Sequence, residues 1–222
     1  TLAAFHVLVE EARRISVPAE GRTRTAFTCK SGRLNVELWR AEGTLRILIE
    51  TPASRFEPVT VPGQLLSALG IVPEALDPRM PPRRSAILEG NLYLAVRDRE
   101  ALARCRPDGA ALEEMGQKLG AAGCVVYTLD PQPGVDAAMR CFFPGYGILE
   151  DPVTGSAAGQ LGALLQLVRP AQMPRRLLFT QGDEMGRPGR VEVQVRPEPE
   201  EGKVRGWIGG DAVTILRGEL QL

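Results

Sequence analysis

The residues best equipped for chemistry stand together at 147–159, Gly-Ile-Leu-Glu-Asp-Pro-Val-Thr-Gly-Ser-Ala-Ala-Gly. An acidic pair and a proline lead through Thr154-Gly155-Ser156 into a run of helical length. The backbone N–H groups of Gly155, Ser156 and Ala157 should therefore lack intrahelical acceptors. Such a terminus suits a carboxylate or phosphate. The Ser156 hydroxyl can add a hydrogen bond, the bare Gly155 lets a ligand reach the amides, and Asp151 would stand beside the anion as a proton acceptor. A second reading needs no function at all: Asp followed by Pro is also a helix N-cap with proline at the first helical position. On the residues alone both readings stay open.

The rest of the composition narrows the chemistry. His6 is the only histidine among 222 residues, so neither a His-ligated metal centre nor a Ser-His-Asp triad can be assembled from this chain. Its place near the apolar side of a helix reads as structural. The four cysteines, Cys29, Cys105, Cys124 and Cys141, lack the close pairs of a zinc site and read as buried free thiols. With 27 basic and 27 acidic residues there is no electrostatic drive toward nucleic acid or an anionic membrane. No apolar run approaches the ~20 residues of a membrane span, and the cytoplasm is the expected compartment. Gly145-Tyr146-Gly147 lacks the third glycine of a dinucleotide fingerprint, and Arg187-Pro188-Gly189 reads as a turn between strands.

Leu2, Phe5, Val9 and Ala12 fall at helical spacing with charges opposite, predicting a helix over 1–14. The chain opens on Thr1 rather than Met, without a start signal, so its beginning reads as cut. Alternating segments at 24–30, 34–40 and 45–50 predict an antiparallel meander, and short helices follow at 61–70 and 73–76. The stretch 78–84, with three prolines and three arginines, predicts a stiff linker and a domain boundary near residue 85. The pattern then restarts: strands at 91–96, 124–129 and 137–143, a helix at 110–119, and a long helix at 156–168. Further strands are expected at 176–180, 190–195, 203–208 and 212–216. Ala157, Ala158, Gly159, Gly162 and Ala163 suit the long helix to close approach by neighbouring backbone, so a sheet should wrap around it, giving an α+β class. Two domains, 1–85 and 86–222, each with one enclosed helix, are expected, the last strand crossing back to the first.

Glu150-Asp151-Pro152-Val153-Thr154-Gly155-Ser156-Ala157, preceded by Phe143-Pro144 and Gly147-Ile148, resembles the signature of the phenazine-biosynthesis (PhzF-like) isomerase family, within the diaminopimelate epimerase superfamily. Gln181-Gly182, then 185–189 (Met-Gly-Arg-Pro-Gly), then Gly209-Gly210 with Ala212-Val213 follow in the family's order, and the resemblance covers essentially the whole chain. It implies two similar domains, each a curved, mostly antiparallel sheet around a central helix, with the active site in the cleft between them. It also implies a cofactor-independent isomerase or epimerase. General acid–base catalysis would transfer a proton on a small carboxylate-bearing metabolite, as in dihydro-hydroxyanthranilate isomerisation, with no metal and as a homodimer. Asp151 is then the catalytic residue, and Thr154, Gly155, Ser156 and Ala157 bind substrate. The family usually has Gly-His-Ala-Thr-Leu-Ala at its first central helix and a catalytic Glu further upstream. This chain opens just after where Gly-His would lie, and Ala158 stands where the family often has His. A chain lacking the N-terminal quarter is implied, weak in catalysis, with Leu2, Phe5 and Val9 less covered. A non-catalytic small-acid-binding or assembly protein retaining the fold is the alternative.

Overall fold

Strands at β spacing, buried on one face or on both, decide the architecture. The computed structural model describes residues 2–30, 32–53, 55–86, 90–130, 132–198, 200, 203–215 and 217–218. Two compact units emerge: Thr1–Glu50 with Gly209–Leu222, and Thr51–Ile208.

In the smaller unit, β1 (Thr23–Cys29), β2 (Gly32–Ala41) and β3 (Thr44–Glu50) form the expected antiparallel meander, with Val36 opposite Ile49 and Leu38 opposite Ile47. Alternate residues Leu34, Val36, Leu38, Leu45, Ile47 and Ile49 are buried on one face, and Glu37, Leu48 and Glu50 are buried between them. The first helix departs from expectation. It is an α-turn, α1 (Leu2–His6), followed by a π-turn (Val7–Glu11), and only one stripe is enclosed. Phe5 and Val9 are buried, with the Phe5 ring 5.9 Å from that of Phe27 and tilted 56° to it, while Ala3, Ala4 and Val7 face solvent. A single sheet layer can cover only one side of a helix, yet it covers Phe5 and Val9 better than expected. His6 Nε2 lies 3.2 Å from Thr214 Oγ1, a structural contact. The strand expected at 212–216 is not formed at residues 212–215; Leu216 lies outside the described residues, as does Thr1.

The larger unit is a sheet ordered β12-β11-β10-β8-β7-β6-β5-β4, with β9 paired to β8. Its strands are β4 (Phe56–Pro58), β5 (Arg83–Ser85), β6 (Asn91–Val96), β7 (Gly123–Thr128), β8 (Ala137–Phe143), β9 (Ile148–Asp151), β10 (Arg175–Gln181), β11 (Gly189–Pro197) and β12 (Val204–Gly210). Pairs β6–β7 and β8–β10 are parallel, whereas β4–β5, β5–β6, β7–β8, β8–β9 and β10–β11 are antiparallel. The continuous apolar runs of β6, β7 and β8 are strands covered on both faces. Tyr93, Ala95, Val125, Tyr127, Met139 and Cys141 pack with α5 (Gly155–Val168). Leu92, Leu94, Val96, Cys124, Val126 and Phe142 pack with α2 (Gly63–Leu69), α3 (Arg99–Ala103) and α4 (Gly109–Leu119). The class is α+β, as expected.

The compact units part after Glu50, upstream of the boundary expected near residue 85. Residues 78–84 are no loose linker. Met80 is 3% exposed, β5 lies between β4 and β6, and Arg84 bonds Glu57 at 2.8 Å and the Gly120 carbonyl at 3.0 Å. Buried Asp77 accepts from Arg79 N, Nε and Nη2 at 2.9–3.0 Å, and these bonds hold its carboxyl below the usual range against the opposing effect of burial. Arginine and proline read from composition as solvated; here cross-strand and ion-pair partners hold them.

The helix α5 is enclosed as expected, with Ala157 to Gln166 all buried. Its small residues admit the neighbours: a Cβ on Gly206 of β12 would lie 2.1 Å from the Gly159 carbonyl oxygen, and one on Gly162 2.5 Å from Val193 Cγ1. The backbone of β12 touches the helix directly there, and Thr51 ties down the Gly206 carbonyl through its N–H (3.0 Å) and Oγ1 (2.7 Å).

Gly206→Ala should therefore destabilise the fold by about 1–3 kcal/mol or more in urea unfolding, while Gly63→Ala, whose Cβ would meet nothing within 4 Å, should not. The depressed Asp77 carboxyl adds stability that is present above the ordinary Asp value of about 3.9 and is lost as pH falls through the folded value. Asp77→Asn should flatten the acid limb of a stability–pH curve below about pH 4 and leave its slope near pH 7 unchanged.

Candidate functional site

Strand β8 is the platform of the site. It turns through a 3-10 segment (Pro144–Tyr146) and Gly147, at φ +73°, into β9, which runs back antiparallel with a bulge and sets Asp151 opposite Cys141. The acidic pair at the end of β9 divides by strand alternation. Glu150 meets Arg140 in a two-pronged pair, 2.8 Å from Nε and 2.8 Å from Nη2. The side chains of Arg140 and Glu150 are 5% and 13% exposed. The same guanidinium donates to the carbonyls of Leu102 and Cys105 and lies 5.2 Å over Phe142. Glu150 is structural. Asp151 is half-buried, and its Oδ2 accepts from the Thr154 hydroxyl.

The capping reading of Asp151 is overturned, because Asp151 ends a strand and α5 begins only at Gly155 with Thr154 as its N-cap. Thr154 spends its hydroxyl on Asp151 and makes no side-chain cap. Ala158 N–H is the first in the helix to find an acceptor, Thr154 O at 3.0 Å. The amides of Gly155, Ser156 and Ala157 have none among the described residues, as expected. Ser156 is exposed and Ala157 buried. At Gly155 a Cβ would lie 2.6 Å from Ile208 Cδ1, so packing against β12 also favours glycine there.

The turn 151–154 rests on the 181–189 segment. Gln181, 2% exposed, accepts from Thr154 N at 2.9 Å and donates from Nε2 to Asp151 O at 2.6 Å and Thr154 Oγ1 at 3.1 Å. Gly182 is at φ +87°, where a Cβ would lie 2.3 Å from Arg187 O and 2.7 Å from Pro152 O; one on Gly189 would lie 2.3 Å from Val153 Cγ2. The turn expected at 187–189 lies at 186–188, and Gly189 already begins β11. Sequence reasoning gave Gln181 no role, since a glutamine at a strand end carries no signal of what it will face. The Cys141 thiol lies beneath, against the Thr154 hydroxyl, and burial pushes it well up and keeps it neutral. Cys105 is pushed up to about 11 by burial, and Cys124 is raised further by the same cause.

Among the described residues no group of three or more His, Cys, Asp or Glu side chains could hold a metal ion, and no helix is long and apolar enough to cross a membrane. A separate cavity of about 350 Å³ lies on the opposite face of the sheet, among α2, α4, β7 and the 144–146 turn.

Glu150→Gln should cost about 3 kcal/mol in equilibrium unfolding, because it leaves the Arg140 charge buried and poorly paired; conservative Glu150→Asp should recover part of that loss.

Residues 1–218 match the family model described as phenazine biosynthesis-like protein. An uncharacterized isomerase of Pseudomonas aeruginosa is 32% identical over 222 residues, 100% of this chain and 71% of that one. The uncharacterized isomerase YfhB of Bacillus subtilis is 29% identical over 198 residues, 88% of this chain and 66% of its own length. The chain thus spans about two thirds to three quarters of the relatives' lengths. In fold it is similar to the crystal structure of a Bacillus anthracis PhzF-family phenazine biosynthesis protein, with TM-score 0.84 at 24% identity over 100% of this chain and 74% of that one. With this match along nearly its whole length, the chain belongs to the phenazine biosynthesis-like family and is, like these relatives, of the isomerase class.

Proposed function

We propose that the protein is a cofactor-independent isomerase or epimerase acting on a small carboxylate-bearing metabolite, in the manner of dihydro-hydroxyanthranilate isomerisation. One observation carries this reading: three backbone amides without acceptors at the start of α5, directly after a half-buried carboxylate held by the helix N-cap residue. The amides of Gly155, Ser156 and Ala157, with the Ser156 hydroxyl, hold the substrate carboxylate. Asp151 takes a proton from a neighbouring carbon. The electron pair left behind spreads into the carboxylate or an adjoining double bond, and Asp151 returns the proton to another carbon on the same face; inversion at the same carbon instead takes its proton from water or a second acid on the opposite face, with Asp151 keeping the one it removed. No atom or electron is gained or lost. Charge that develops on the carboxylate in the transition state strengthens its bonds to the three fixed amides, which is the differential stabilisation catalysis needs. The setting we propose is a cytoplasmic homodimer; four free thiols, three of them buried, suit a reducing compartment.

The test is solvent-deuterium incorporation into a panel of small amino, hydroxy and unsaturated carboxylic acids, with calorimetric binding of the same acids. Ser156→Ala should weaken binding by about 0.5–1.5 kcal/mol with little change in melting temperature. Asp151→Asn should still bind but exchange no deuterium. Binding by the wild-type chain with no exchange of any acid would favour a non-catalytic acid-binding protein instead.

A further inference from the structure

The hydrogen bonds around Asp151 admit one arrangement of protons. The Gln181 amide is oriented by two backbone groups of opposite kind, since Oε1 accepts from Thr154 N–H at 2.9 Å and Nε2 donates to the Asp151 carbonyl at 2.6 Å. Flipped, it would set hydrogen against hydrogen and oxygen against oxygen. An amide nitrogen has two protons, and the second reaches Thr154 Oγ1 at 3.1 Å. That occupies a lone pair of the hydroxyl, whose single proton goes to Asp151 Oδ2. The Cys141 thiol against the same hydroxyl is neutral and a weak acceptor, no rival to a carboxylate.

We infer that Gln181 is a positioning residue that orients the Asp151 carboxylate through the Thr154 hydroxyl, fixing Oδ2 and leaving Oδ1, which has no partner among the described residues, as the oxygen that meets the reacting carbon. This rests on the reading of Asp151 as the proton-transfer group, and it removes the Thr154 side chain from the substrate-binding set. Thr154 serves the carboxylate instead. A glutamine that merely pinned the turn would need only its two backbone bonds. The third bond, to the hydroxyl, sets the direction of the chain of donors Gln181 to Thr154 to Asp151.

The experiment compares ligand-free protein, labelled with ¹³C at aspartate and ¹⁵N at glutamine side chains, as wild type, Thr154→Val, Thr154→Ser, Gln181→Met and the Thr154→Val/Gln181→Met double variant. Backbone amide maps check that each is folded. Thr154→Val should move one of the two Gln181 Nε2 proton resonances and spare the other. Both Thr154→Val and Gln181→Met should displace the Asp151 Cγ resonance, and Thr154→Ser should restore it. On any acid that exchanges deuterium, kcat should fall about 100-fold in each single variant with KM little changed, and the double variant should be no worse than either single. An Asp151 Cγ resonance unmoved by Gln181→Met, or a double variant whose loss is the product of the two singles, would overturn the inference. If Gln181→Met does not fold, the Thr154→Val and Thr154→Ser pair decides by the same resonances. Resonances that move as stated without exchange of any acid support the orienting chain and count against the proposed isomerase; exchange that survives Gln181→Met unchanged does the reverse.

Discussion

The enclosure of α5 is the constraint on which the larger unit depends. A helix surrounded by sheet cannot keep a polar face, and its residues from Ala157 to Gln166 are all buried. Its neighbours must then come within backbone distance or leave voids, and glycine and alanine at 157–159, 162 and 163 are what permit it. The contact between Gly159 and Gly206 is the tightest expression of this. Polar groups on such a helix must be matched individually. Gln160 accepts from the Tyr93 hydroxyl at 2.8 Å, and Gln166 Nε2 donates to the Ala171 carbonyl at 2.8 Å while its Oε1 is buried with no partner among the described residues.

Enclosure also concentrates chemistry at one end. Along the buried barrel of the helix every amide is paired internally, so only its start offers donors. The chain reaches that start along β9, and alternation on this strand sends Glu150 to the buried Arg140 and Asp151 toward the helix N-cap. One acidic residue anchors the hairpin to its platform; its neighbour stays available. Two adjacent carboxylates thus acquire different work through strand geometry alone.

A polar turn beside a packed core survives only if its backbone is satisfied. Gln181 supplies that for 151–154, and Gly182 and Gly189 remove the Cβ atoms that would push the two segments apart. The turn is therefore held by two stretches of chain roughly thirty residues apart, whose contact appears only on folding. Rigidity here comes from close backbone approach between the two segments.

Local pattern determined a good deal by itself. Periodicity located the meander of the smaller unit, the doubly buried strands of the larger one and the long helix within one or two residues, because burial on a face is written at period 2 or 3.6. The small residues of α5 announced an enclosed helix, and the 147–159 segment announced a helix start whose first amides lack acceptors. Contacts between distant segments were not legible. Three-residue strands such as β4 and β5 are too short for a period, so the arginines and prolines around β5 read as a linker although cross-strand partners hold them. The first helix showed its apolar stripe but not how many layers would cover it. Asp151-Pro152 carried two local meanings, cap or site, and only the pairing of β9 with β8 removed the cap, by ending a strand where a helix might have begun. Gln181 stood only among the residues of the resemblance and showed no role, since a side-chain amide takes its role from whatever folding brings against it.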